Sequence, residues 1–278
     1  MQYGNNANIK LHYDIGHKKP LQKEPNVKDL GVYLSENLSY ETHIADAIKS
    51  GRKYMGWILR SFQTRKPEVI LTLYSSYVVP RLEYASVLVS PYLIQDIEKM
   101  ESIQRSITAR LEGMKGLNYH QRLHFLKLYS LQRRRERYIA IYVFKILQNL
   151  VPNNLNLEFY ATNRFGMKCR QLKLPASTTH ISTVRKNSFT STGPALFNIL
   201  PAKVKEASSL EQFKSNLDTF LRTIPDLPPT HGYPALNRNT IVEWVTGNYN
   251  FREIIHTLVD KSLGCQSERG PAVSPDRS

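Results

Sequence analysis

The chain has 278 residues, and its 38 Lys and Arg against 23 Asp and Glu give a formal net charge of +15. Hydrophobic residues make up 41%, enough at this length to bury a core and too many for a chain that stays unfolded. No apolar run approaches the roughly 18 to 20 residues that span a bilayer, and residues 1–11 hold no apolar stretch of a secretory signal. Two cysteines, Cys169 and Cys265, cannot build a disulfide framework, so an intracellular chain of one or two domains, with no membrane partner, is expected.

The charge is not spread evenly. Residues 1–40 carry 5 basic and 4 acidic side chains, a net +1. Residues 41–152 carry 18 and 9, a net +9, and residues 153–278 carry 15 and 10, a net +5. A basic excess of this size points to a polyanionic partner, most often nucleic acid, and is silent about fold.

Residues 1–40 lack helical periodicity and read as strands and turns. Val27, Leu30, Val32 and Leu34 supply the apolar positions, and Gly31 among them implies a close backbone approach or a bulge. Asn37 and Ser39 offer turn or cap chemistry before the first long helix. From Glu41 the period becomes helical: Ile44, Ile48, Gly51, Met55, Ile58 and Phe62 form one stripe, with Lys49, Arg52, Lys53 and Arg60 off it. A second helix opens at Pro67, turns Ile70, Leu73, Tyr74, Tyr77 and Val78 inward, and is expected to end at Pro80. A third uses Ile97, Met100, Ile103 or Gln104, Ile107 and Leu111 and ends near Gly113. A fourth covers about 130–150, with Ile139, Tyr142, Val143, Ile146, Leu147 and Leu150 inward, closed by Val151 and Pro152. Four amphipathic helices with short connections predict a bundle.

Beyond Pro152 the texture loosens. Residues 153–188 are polar and basic, through Arg164, Lys168, Arg170, Lys173, Arg185 and Lys186. Order returns at 195–201, followed by an amphipathic helix with Leu210, Phe213, Leu217 and Phe220. Pro225, Pro228, Pro229 and Pro234 then read as a linker, and disorder is expected over 265–278. The chain is therefore expected to be mainly α. A short β-strand region (1–40) precedes a helical bundle (41–152), a loosely ordered basic α/coil region (153–225) and a Pro-containing linker and tail (226–278).

Catalytic chemistry is hard to assemble. His120 and His124 stand at i, i+4, but no Glu or third ligand accompanies them, and surface or packing histidines are the plainer reading. The turn at Gly113, Met114, Lys115 and Gly116 lacks Walker spacing, and no nucleophile motif is present. The aspartates Asp14, Asp29, Asp46, Asp96, Asp218, Asp226, Asp260 and Asp276 are isolated, whereas two-metal phosphoryl chemistry needs clustered carboxylates. Neither a catalytic residue, nor a metal site, nor a cofactor is assigned to this chain.

Binding chemistry is easier to find. Arg133, Arg134, Arg135 and Arg137 cluster at the start of the fourth helix, preceded by Arg122 and Lys127 and interleaved with Tyr119, Tyr129 and Tyr138. Arginine suits bidentate phosphate recognition, and aromatics among cations suit single strands or A-form hybrids. Successive residues on a helix fan out by roughly 100°, so at most two or three of these arginines could face one backbone. The competing reading places the tyrosines in the core and leaves the arginines solvated.

Several of these pieces also resemble, in order, a known family. The run Val27, Lys28, Asp29, Leu30, Gly31, Val32, Tyr33 and Leu34, followed by Leu38, Ser39, Tyr40, His43 and Ile44, resembles the region just after the catalytic strands of non-LTR retrotransposon reverse transcriptases, the jockey-like branch in particular. Leu73-Tyr74, Val79-Pro80-Arg81-Leu82-Glu83-Tyr84, Ile97-Glu98, Gln104-Arg105, Arg122-Leu123 and Leu131 with Arg133-Arg134-Arg135 continue the resemblance. Phe197-Asn198-Ile199-Leu200-Pro201, then Phe213-Lys214, Pro228-Pro229, Gly232-Tyr233, Asn237 and Trp244 extend it to about residue 244. Position 197 departs from the family, which usually has Trp there.

The resemblance implies that Leu30, Gly31 and Val32 belong to a strand region near the primer grip, where backbone at Gly31 would approach a primer end. It implies that the helices of 41–152 form a thumb, whose basic face, with Arg122, Lys127, Arg133, Arg134, Arg135 and Arg137, would hold RNA or an RNA–DNA hybrid. The family is an RNA-directed DNA polymerase, and this chain would correspond to its C-terminal part, partnered by palm and fingers. The family's Asp-Asp motif has no counterpart here, so the chain alone is not expected to synthesise DNA. The alternative is a non-catalytic helical interaction module derived from a retroelement.

Overall fold

The computed structural model describes residues 24–159, 171–173, 183–231 and 237–247. Cys169, Cys265, Pro234, Gly232, Tyr233, the basic residues Arg164, Lys168 and Arg170, and the expected disorder over 265–278 lie outside the described residues.

The described chain is mainly helical, with one short antiparallel sheet at its start. Strands β1 (Asn26–Asp29) and β2 (Val32–Ser35) pair with Asp29 opposite Val32 and Asn26 opposite Ser35. Gly31 is therefore the turn between two strands. Leu30 and Gly31 both adopt positive φ, 44° and 82°, as a tight two-residue hairpin turn requires. A close approach is also present, because the Tyr84 ring lies against Gly31, where an added Cβ would sit 3.2 Å from it.

Helix α1 (Glu41–Ser61) follows, with Asn37 accepting from the Ser39 amide in the turn before it. Ile44, Ile48, Gly51 and Ile58 are buried, as the stripe predicts. Glu41 in its first turn and Arg60 in its last suit the helix dipole. Helix α2 (Pro67–Leu73) does not stop at Pro80. It runs through a π turn at Tyr74–Val78 into α3 (Val79–Leu82). The wider turn shifts the hydrogen-bond register where Pro80 offers no N–H and would crowd an α-helical carbonyl. It also changes which face is buried: Ile70, Tyr74 and Val78 point inward, and Tyr77 points out.

Helix α4 (Ile94–Thr108) buries Ile97, Met100, Ile103 and Ile107. A short helix α5 (Tyr119–Phe125) carries a capping box between Asn118 and Gln121. Helix α6 (Leu131–Leu147) ends before Leu150, which is exposed instead of inward. Beyond it come α7 (Thr183–Lys186), α8 (Phe189–Ile199), α9 (Ala202–Lys205), α10 (Leu210–Leu221) and α11 (Ile241–Thr246). Helix α8 starts ahead of the ordered piece expected at 195 and passes through Gly193 and Pro194. At Gly193 the absent Cβ lets α8 approach Val143 of α6.

Two apolar clusters form the interior. The first joins Val32, Ile44, Ile58, Ile70, Val78, Leu82, Ile103 and Leu131. The second joins Ile139, Val143, Phe144, Leu196, Phe197, Phe213, Leu217 and Trp244, with Phe144 and Phe213 stacked at 4.1 Å. Both reach α6, so the clusters meet along that helix. The segment expected to be a linker is packed as well: Pro225, Pro228 and Pro229 are buried, and Ile241 and Trp244 have no exposed surface.

Candidate nucleic-acid interface

The first turns of α6 bring the arginine cluster into the interior. Ser130 caps the helix by accepting from the Arg133 amide, and the Asp226 carboxylate accepts from both the Ser130 amide (2.7 Å) and its hydroxyl (2.6 Å). Asn239 donates to Asp226 at 2.7 Å and accepts from the Trp244 indole at 2.9 Å, which ties α11 to this point. Arg133 is wholly buried and donates to the Pro225 carbonyl at 2.7 Å. Arg135, also buried, donates to the Leu82 carbonyl at 2.7 Å and points at the Met100 sulfur. Arg134 pairs with Glu83, and Arg137 forms a two-pronged pair with Asp218 at 2.6 and 2.8 Å.

Arg122 is buried too, donating to Thr108, to the Leu117 carbonyl and to the Arg105 carbonyl. Of the six side chains expected to face nucleic acid, Arg122, Arg133 and Arg135 thus lie in the interior, and Arg134 and Arg137 are spent on carboxylates. Lys127 alone is exposed, at a left-handed position just after α5. The fan of directions along the helix is the physical reason: each arginine leaves α6 toward a different packed element. Of the three tyrosines among them, Tyr119 is buried and donates to Glu101 at 2.6 Å, whereas Tyr129 and Tyr138 are half-buried.

The same interior holds two unusual carboxyls. Burial pushes Glu101 up to about 7 and Glu136 up to about 8, although the Tyr119 hydroxyl and Gln132 amide at Glu101, and the charge of Arg133 and the Ile241 amide at Glu136, pull the other way. Burial lowers the His120 imidazole, whose Nε2 lies 3.2 Å from the Pro228 carbonyl, whereas His124 is exposed. The pair therefore does not converge on one point, and among the described residues no three metal-ligating side chains gather. Nor is any described helix long and apolar enough to cross a membrane.

At the hairpin tip, Leu30 and Gly31 are exposed and Val32 is buried in the first cluster. The Tyr84 hydroxyl donates to the Leu30 carbonyl at 2.6 Å, so one side of the turn is already occupied.

Exposed charge gathers instead on α1. Lys49, Lys53 and Arg60 fall within roughly 40° of one another around the helix, with Arg52 and Trp57 flanking them on either side. No Asp or Glu occurs between Asp46 and Glu68, and none between Glu68 and Glu83. Among the described residues no salt bridge engages Lys49, Lys53 or Arg60. Trp57 and Tyr77 meet edge to face at 5.5 Å and remain 43% and 41% exposed. Arg81 lies 3.5 Å above the Tyr54 ring and donates to the Tyr77 carbonyl. Between α1 and α4 an open groove of about 490 Å³ is lined by Arg52, Met55, Ser102, Arg105 and Ser106. The charges of this face were visible as the residues off the α1 stripe. Its aromatic half was not, because Tyr77 reads as inward unless the π turn is known.

Comparison of the chain with protein-family models, with curated proteins and with solved structures finds no match.

Proposed function

We propose that this chain binds nucleic acid as the thumb-like, C-terminal region of a retroelement polymerase, and that α1 provides the contact. Polymerase chemistry is not assigned to it. The observation that carries the reading is the cationic face of α1 beyond Asp46, where Lys49, Lys53 and Arg60 stand exposed with Trp57 beside them. Cations of this kind release counterions from a phosphate backbone, so affinity should fall steeply with salt. The ordered run of family-like segments from Val27 to Trp244 supports the polymerase context and makes RNA or an RNA–DNA hybrid the expected partner.

The test is a salt titration of template–primer binding, repeated for a Lys49→Ala, Lys53→Ala, Arg60→Ala triple variant. The variant should lower the slope of log affinity against log salt by about 2. Affinity that ignores salt, or a variant that binds like the parent, would overturn the proposal. A protein-interaction module is the second reading, favoured by Leu30, 85% exposed at the hairpin tip beside the half-exposed Tyr84. Co-purification of a protein partner without affinity for nucleic acid at low salt would select it.

A further inference from the structure

We infer that Trp57 and Tyr77 form a stacking platform for an unpaired base, so that the α1 face takes single-stranded nucleic acid in preference to a duplex. The inference rests on the proposed function and narrows its substrate.

Two large rings in edge-to-face contact usually complete their packing under neighbouring side chains, yet here both remain nearly half in water. The other tryptophan, Trp244, shows what the fold does with an indole it needs for packing: it is wholly buried and its N–H is hydrogen-bonded. Tyr77 reaches the surface because of the π turn at Tyr74–Val78, a departure from the α-helix of the kind that often marks functional positions. Its neighbours Ser75 and Ser76 are small and exposed, leaving the approach open.

Charge selects the ligand. Lys53 and Arg60 lie one turn before and three residues after Trp57, and Arg81 sits beside Tyr77. Neither the stretch from Ala47 to Pro67 nor that from Val69 to Leu82 holds a carboxylate, so the charged side chains nearest the rings along both segments are cations. An exposed ring face with cations beside it fits a base joined to phosphates better than it fits an apolar protein surface. Within a duplex the bases cover one another's faces and offer none to an aromatic side chain, whereas a single strand offers every face.

The experiment follows tryptophan emission while the full chain is titrated with an oligouridylate of about 12 nucleotides, or with a blunt RNA–DNA hybrid of equal length. Trp57, at the surface, should be quenched by the single strand, while Trp244 supplies a constant background. Trp57→Ala should weaken oligouridylate binding roughly tenfold with an unchanged salt slope, Tyr77→Ala should weaken it less, and Trp57→Phe should restore most of it. Circular dichroism of each variant separates loss of stacking from loss of fold. Equal binding of hybrid and single strand, or single-strand affinity indifferent to Trp57→Ala, would overturn the inference while leaving nucleic-acid binding intact. If neither ligand binds at low salt, the underlying function falls with it.

Discussion

Two stretches of this chain are rich in cations and are used in opposite ways. The start of α6 packs Arg133, Arg134, Arg135 and Arg137 into five positions, and α1 spreads Lys49, Arg52, Lys53 and Arg60 over three turns. In α6 the guanidinium groups hold other elements in place: Pro225 and Leu82 through carbonyls, Glu83 and Asp218 through carboxylates. In α1, Lys49, Lys53 and Arg60 face water, and Arg52 donates only to the Ser102 hydroxyl at 3.5 Å. Arginine density therefore does not measure binding surface. What separates the two is the supply of partners, since α6 is met by acidic and carbonyl groups from other elements, whereas among the described residues no carboxylate pairs with Lys49, Arg52, Lys53 or Arg60.

Neutralising an arginine of α6 should break this division at its structural end. Arg133→Met keeps the apolar length of the side chain but leaves the Pro225 carbonyl and the Glu136 carboxyl without their cation. The expected cost is about 3 kcal/mol of unfolding free energy, because removing one partner strands a buried polar group. Denaturant unfolding would read it. Folded Arg133→Met should retain the parental salt slope for nucleic acid, and a reduced slope would return Arg133 to the binding surface.

The pH dependence of stability tests the same interior. Glu136 titrates at about 8 in the fold and near 4.5 when unfolded, so the native state holds a proton that the unfolded chain releases. Stability from this group is therefore full below about 4.5, falls as pH rises, and levels off above 8; Glu101, raised to about 7, adds a fall of the same sign. Melting temperatures of parent and Glu136→Gln across this range should diverge in slope, with the variant flatter. Parallel curves would mean that Arg133 keeps Glu136 ionised throughout.

The longer helices α1, α4, α6 and α10, and the apolar stripes of α1 and α4, were legible because a period near 3.6 is a local property of sequence, whereas the short helices α5, α7, α9 and α11 offer too few turns to show one. The roles of the arginines were not, since their partners are remote: Glu83 is 51 residues from Arg134, Asp218 is 81 from Arg137, and Pro225 is 92 from Arg133. The proline-containing segment near 228 misled for a related reason. Proline content signals that regular structure stops, and says nothing about burial, which Asp226, Asn239 and Trp244 secure by joining residues far apart. At Pro80 the local rule itself yielded, because a π turn let the helix continue and reversed the exposure of Tyr77.

The smallest expected effect lies at the other end of the comparison. Lys53 is exposed on α1, its element is a good helix host for either residue, and no described carboxylate pairs with it. Lys53→Gln should thus change unfolding free energy by no more than about 0.5 kcal/mol, as surface substitutions without partners do. The same substitution should still lower the salt slope for nucleic acid by a little under 1, the share of one phosphate contact. A binding surface and a structural cluster differ in this pairing of readouts: α1 should lose affinity at constant stability, and α6 stability at constant slope. A Lys53→Gln chain that is markedly less stable would show that α1 relies on its cations for folding, and the separation between the two helices would no longer hold.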